Sequence, residues 1–225
     1  MQESVTGAAA ELSAGGADGV QAVGVVADLS EPSWLKPVEK AVGDREVGLF
    51  VANAGISHVG DFLTMTPETR RAMVAINALA VADAAAAFLP AMVERGRGGF
   101  LTTSSGSAVA GTGTVALYSA TKAFGMNLSE AIGWELRDTG VDTLAFCGPS
   151  METPAFKSHD VDRSQMAVPP VAPEEVVGEV LDHLPAGGRW LPAGIDFVAG
   201  LPREQQVDII SASTRSMYPW MDTDS

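Results

Sequence analysis

The stretch Val47-Gly48-Leu49-Phe50-Val51-Ala52-Asn53-Ala54-Gly55 decides the architecture. Val47–Ala52 is a short, continuous apolar run closed by Asn and Gly, which reads as a strand covered on both faces. Val20–Asp28, Gly99–Thr103 and Val141–Phe146 have the same character, and helical stretches separate them. Apolar runs alternating with helices imply an α/β fold with a mostly parallel, doubly wound sheet.

The helices are delimited by local signals. Glu31–Val42 has Pro32 in its first turn and Gly43 as its stop. A longer helix starts where Thr66 can cap free amides and Pro67 is tolerated at the first position. It runs to about Glu94 and stops before Gly96. The third extends to about Asp138 and is closed by Gly140, with Phe124, Leu128, Ile132 and Leu136 forming an apolar stripe. Polar and proline-containing residues follow Thr153 through Pro170, as a mobile loop over a site or as an ordinary surface connection. A helix resumes at Pro173-Glu174-Glu175, and the tail after Pro202 has no functional reading.

The third helix also carries Tyr118-Ser119-Ala120-Thr121-Lys122, with Ser105 upstream. Tyrosine and lysine four apart share a helix face, an arrangement that solubility alone produces often. The ordered set is more specific. With Asn53-Ala54-Gly55 after a strand and Asn77 in the long helix, it resembles the active site of the short-chain dehydrogenase/reductase family. The resemblance runs from roughly Asp18 to Pro154 and continues loosely to about Val198. It implies a Rossmann-like fold, NAD or NADP as cofactor, and hydride transfer between an alcohol and a carbonyl.

By the same resemblance Tyr118 is the acid/base, Lys122 its electrostatic partner and a ribose contact, Ser105 the substrate holder and Asn77 the anchor of a relay water. Asn77 could otherwise be a plain polar residue in an alanine-rich helix, and Ser104 and Ser107 are structural alternatives to Ser105. The family's cofactor contacts fall on Asp28, Asn53, Ala54, Gly55, Tyr118, Lys122 and Thr153. Asp28, matched to an adenine contact, could equally be a strand-ending cap. Gly148-Pro149 inverts the family's usual order. Substrate lining is expected around His58, Ala108–Leu117 and Ala155–Val168. An ammonium about 4 Å from the phenol contributes roughly 4 kcal/mol at an effective dielectric of about 20, enough to bring Tyr118 near 7.

One family element has no counterpart, the opening strand with its TGxxxGxG turn, whose amides hold pyrophosphate at a helix N-terminus. Thr6-Gly7 and Gly15-Gly16 lack its spacing. The first two strands of the sheet are therefore expected to be missing, within a single domain over 1–225. Roughly 30–45 further residues are expected upstream, and dinucleotide affinity below the family's norm. The alternative is a cofactor-free relative acting as a binding or oligomerising module.

Composition narrows the partners. The net charge of −14 over 225 residues opposes binding to nucleic acid or acidic membranes. Cys147 is the one cysteine, so no internal disulfide forms, and His58, His159 and His183 fit no metal-ligand spacing. No GxSxG turn surrounds Ser104 or Ser105, which argues against a serine hydrolase. Asn77, Asp83 and Pro90 interrupt the apolar stretch Val74–Val93, making it a poor membrane span, and no signal segment is present. The chain reads as cytoplasmic, with a small-molecule alcohol or carbonyl substrate, no metal, and a homodimer or homotetramer formed through its two long helices.

Overall fold

The computed structural model describes residues 2–15, 20–166 and 168–222, which fall into two compact units, Met1–Val47 and Gly48–Ser225. Gly16 and Asp18 of the expected motifs, and Ala167 of the expected lining, lie outside the described residues.

In the first unit, helix α1 (Gln2–Gly15) is followed by an irregular segment and then α2 (Leu35–Val42). Thr6-Gly7 lies inside α1, so it forms no phosphate turn. The expected strand Val20–Asp28 is not one: its backbone joins no ladder, and Val20 and Val23 are exposed. Apolarity favours burial, but a strand exists only where a neighbour accepts its hydrogen bonds. Asp28 ends the segment as a cap, its carboxylate accepting from Ser30 N at 2.9 Å and Ser30 Oγ at 2.6 Å. These two bonds lower its pKa.

The second unit holds a parallel sheet in the order β1-β2-β3-β4, formed by Leu49–Ala52, Gly98–Thr103, Val141–Phe146 and Gly188–Trp190. Register is set by pairs such as Phe50 with Phe100 and Leu101 with Leu144. Three of these strands occupy the expected runs. The fourth has three residues, too few to show a period, and is held because Trp190 buries its ring against Phe146 at 5.5 Å and donates to Glu179 Oε1 at 3.1 Å.

The long helix α3 (Pro67–Arg95) starts as its signals dictate, with Thr66 Oγ1 accepting from Thr69 N at 3.2 Å, and ends at Gly96 with φ 72°. By length and composition it could cross a membrane, but half of its most apolar stretch is buried inside the fold, where Phe88 stacks on Phe50 at 4.7 Å. Between Ala75 and Leu79 it widens into a π turn around Asn77.

Helix α4 (Ala116–Leu136) carries Tyr118 and Lys122 and lies close on the sheet. Ser129 Oγ donates to Thr102 Oγ1 at 2.7 Å, and Thr143 Oγ1 donates to the Ser129 carbonyl at 3.1 Å. Gly133 permits this approach, since a Cβ there would run into Thr143 Oγ1. Alanine is favoured over glycine in a helix by about 1 kcal/mol, yet overpacking costs about 1–3 kcal/mol. Gly133→Ala is therefore expected to lower the thermal midpoint by a few degrees, read by calorimetry; a rise would show that the helix is not seated so tightly.

Beyond β3 come a short α5 (Pro154–Lys157), α6 (Pro173–His183), α7 (Ala193–Ala199) and α8 (Arg203–Ser216). The last turns the unread tail into an ordered element. Gln206, buried on α8, donates to the Ala199 carbonyl at 3.0 Å and the Leu201 carbonyl at 2.7 Å.

Candidate active site

Four side chains converge beside the carboxyl ends of β1 and β2. Ser105 follows β2 in an extended conformation and caps the short turn Gly106–Val109. Its hydroxyl accepts from Ser107 N at 3.2 Å and Ser107 Oγ at 3.1 Å. Its own proton is thereby directed away, and Ser105 hydrogen-bonds the Tyr118 phenol. Ser107 thus orients Ser105. Ser104 is committed elsewhere, donating to the Lys122 carbonyl at 2.8 Å.

Lys122, one turn after Tyr118, places Nζ 5.8 Å from the centre of the tyrosine ring. The ammonium donates to the Thr103 carbonyl at 2.7 Å. An ammonium has three N–H donors, so two remain for a hydroxylated ligand. Burial lowers Lys122 from its ordinary 10.5 to about 8. Tyr118 moves the other way: burial pushes the phenol above its ordinary 10, and the Ser105 bond only partly offsets this. The expectation of a phenol near 7 is therefore corrected. Burial acts against the charged form of both partners and opposes the attraction between them.

Asn77 is 2% exposed and clamps the loop after β1. Its Oδ1 accepts from Ile56 N at 2.9 Å, while Nδ2 donates to the Ile56 carbonyl at 2.8 Å and to Thr121 Oγ1 at 3.1 Å. A side chain at Gly55 would begin 3.1 Å from Lys122 Nζ and 3.3 Å from Asn77 Oδ1, so glycine keeps this junction open. Asn53, Ala54 and Gly55 are exposed, and Asn53 Oδ1 accepts from Thr103 Oγ1 at 3.0 Å. Thr153 Oγ1 accepts from Phe156 N at 3.2 Å, capping α5 with its hydroxyl proton still free to donate.

The residues around Lys122 thus fit the ribose end of a nicotinamide nucleotide: a buried cation with spare donors beside an exposed Asn-Ala-Gly turn. The pyrophosphate end has no such match among the described residues, because Thr6-Gly7 is helical. Asp28, in the other compact unit, is not placed relative to these groups.

Two contributions were not legible in the sequence. His159 Nε2 lies 2.8 Å from Ser57 Oγ, linking the loop after β3 to the loop after β1. Tyr218, just past α8, is 6% exposed, and its phenol is pushed up first by burial and then by the negative charge of an ionised Tyr118. The chain has two tyrosines, and both lie here.

A family model described as short chain dehydrogenase matches residues 1–164. The chain is 30% identical over 171 residues to the oxidoreductase UcpA of Escherichia coli (strain K12), a match covering 74% of this chain and 63% of that protein's length. It is 32% identical over 194 residues to 1-deoxy-11-beta-hydroxypentalenate dehydrogenase of Streptomyces exfoliatus, covering 84% of this chain and 69% of that one. A solved short-chain dehydrogenase from Sphingobium yanoikuyae, in complex with NADPH, superposes with a TM-score of 0.74 at 23% identity, over 98% of this chain and 82% of that one.

Proposed function

The chain belongs to the short-chain dehydrogenase family, and on that premise we propose that it interconverts an alcohol and a carbonyl compound with NAD or NADP, Tyr118 moving the proton. The observation that supports this most is the half-buried Tyr118 phenol, bonded by Ser105 and flanked by the Lys122 ammonium. The nicotinamide, when bound, supplies or accepts the hydride. Lys122 holds the ribose, and Asn53, Ala54, Gly55 and Thr153 line the path of the cofactor.

A phenol above 10 keeps its proton at neutral pH, so Tyr118 is set to donate to a carbonyl oxygen. Ser105 holds that oxygen by its hydroxyl. Asn77 fixes the loop at Ile56 against which Gly55 and Lys122 meet, keeping the ammonium within reach of both ribose and phenol. The test is nicotinamide absorbance on mixing the chain with NADH or NADPH and a panel of ketones. Turnover with either cofactor is expected once its concentration is raised far enough to offset the unmatched pyrophosphate end; its absence with both at millimolar cofactor, alongside intact folding, overturns the reading. The second reading, a cofactor-free module, draws on Thr6-Gly7 being helical, and saturable binding of either dinucleotide excludes it.

A homodimer or homotetramer is proposed on a separate observation. An apolar groove of about 600 Å³ between α3 and α4 is lined by Ala82, Ala86, Leu89, Leu128, Ile132 and Leu136. Small alanines let a second pair of helices approach closely. Sedimentation at micromolar concentration should show a dimer or tetramer, and Ala86→Arg a monomer. A parent that sediments only as monomer rejects the assignment.

A further inference from the structure

The loop 110–115 joins the turn that follows Ser105 to the helix that carries Tyr118, and one residue in it is bonded to both. Thr112 is 2% exposed. Its backbone N–H donates to Ser119 Oγ at 3.2 Å, and its hydroxyl proton is shared between the carbonyls of Ser107 at 3.2 Å and Ala110 at 3.3 Å. Ser119, the residue after Tyr118, is buried and donates its own proton to the Ala116 carbonyl at 3.0 Å, so its hydroxyl is fixed in the first turn of α4. Ser107 in turn donates to the Ser105 hydroxyl from both N and Oγ.

The loop does not take this path by its own preference. Thr114 has φ 72°, the one described residue other than glycine in the left-handed region, and a β-branched residue stays there only where its surroundings hold it. Gly60 N donates to the Thr114 carbonyl at 2.8 Å, and Gly113 N donates to Ser211 Oγ at 2.9 Å. A buried hydroxyl needs a partner, and the Ala110 carbonyl alone would serve that need. The bonds to Ser107 and Ser119 go further, because they tie together the two elements whose side chains meet in the hydrogen bond between Ser105 and Tyr118.

We infer that Thr112 is a positioning residue, which sets the approach of the Ser105 hydroxyl to the Tyr118 phenol by bonding a neighbour of each. It acts through Ser107 and Ser119 and not on the substrate. The inference rests on the roles proposed above for Ser105 and Tyr118.

The test reads the phenol directly. With ring-labelled tyrosine in the full chain, NMR follows Tyr118 through its ionisation, and Tyr218→Phe identifies which of the two tyrosine signals belongs to it. The bond from Ser105 favours the ionised phenol. Thr112→Val keeps the shape and loses the hydroxyl, so Tyr118 should ionise at a higher pH than in the parent; Thr112→Ser keeps the hydroxyl and should match the parent. Lys122, with Nζ 5.8 Å from the centre of the same ring, is untouched by either change. In turnover, Thr112→Val should lower kcat about tenfold, as one misplaced hydrogen bond allows, with the KM for the dinucleotide unchanged. A valine variant that ionises as the parent does or keeps its kcat, or a serine variant that shifts as far as valine, overturns the inference. Should Thr112→Val not fold, Ser119→Ala cuts the other bond and decides by the same reading. A parent without turnover would instead strike the proposed reaction and leave the ionisation to decide the role of Thr112.

Discussion

Replacing Tyr118 by phenylalanine is expected to lower turnover by at least about a hundredfold, the lower range for losing a general acid, with little change in stability. The ring stays and fills the same space; only the hydroxyl and its bond from Ser105 are removed. Losing one such bond costs about 1 kcal/mol, well below what unfolds a domain. Cofactor affinity should barely move, because Lys122 keeps its bond to the Thr103 carbonyl. Steady-state kinetics with calorimetry on the same samples decides it. Activity within a few-fold of the parent, with unchanged folding, would refute the role of Tyr118.

Lys122→Met should have the opposite profile, less active and more stable. Burial lowers the lysine from 10.5 to about 8, which corresponds to about 3 kcal/mol against the charged form in the folded chain. Because the folded pKa is depressed, this group's full contribution to stability is present above 10.5 and is lost as pH falls through about 8. At pH 7 the penalty is complete, so removing the charge relieves it. The bond to the Thr103 carbonyl, worth about 1 kcal/mol, is lost too. A net gain of about 2 kcal/mol is expected at pH 7, shrinking between pH 8 and 10.5 as the parent's lysine gives up its proton. Denaturant melts across that range are the check, and a variant less stable than the parent at neutral pH would contradict it. Turnover and dinucleotide affinity should both fall if one ammonium serves ribose and phenol, as proposed.

What could be read in advance was local. Thr66, Pro67 and Gly96 bracket α3 because capping is decided within one turn of a helix. Phe50, Phe100 and Leu144 mark strands because apolar runs between helices have few other uses. Val20–Asp28 shows the limit of that reasoning, since the run is apolar but a strand also needs a partner elsewhere in the chain. Tyr118 and Lys122 stand out through their ordered combination with Ser105 and Asn77. That combination says nothing of burial, which raises the Tyr118 phenol, or of the Thr103 carbonyl that accepts a hydrogen bond from the ammonium. Tyr218 had no local signal at all; its position depends on bonds to Asp61, Gly113 and Asp162, each far away in sequence.

The π turn at Ala75–Leu79 has a consequence for the rest of α3. Its backbone bond spans from Ala80 N to the Ala75 carbonyl, one residue more than an α turn encloses. One residue corresponds to about 100° of rotation around a helix axis, so every position from Ala80 onward is phased by that single added residue. The same five residues that aim Asn77 at Ile56 therefore decide which way Ala82, Ala86 and Leu89 point. Forcing all five into a regular α turn would swing those alanines more than a quarter turn around the axis, whereas the wide turn absorbs the added residue. The Asn77 clamp and the proposed assembly face share one phase setting, and neither can be re-indexed without the other.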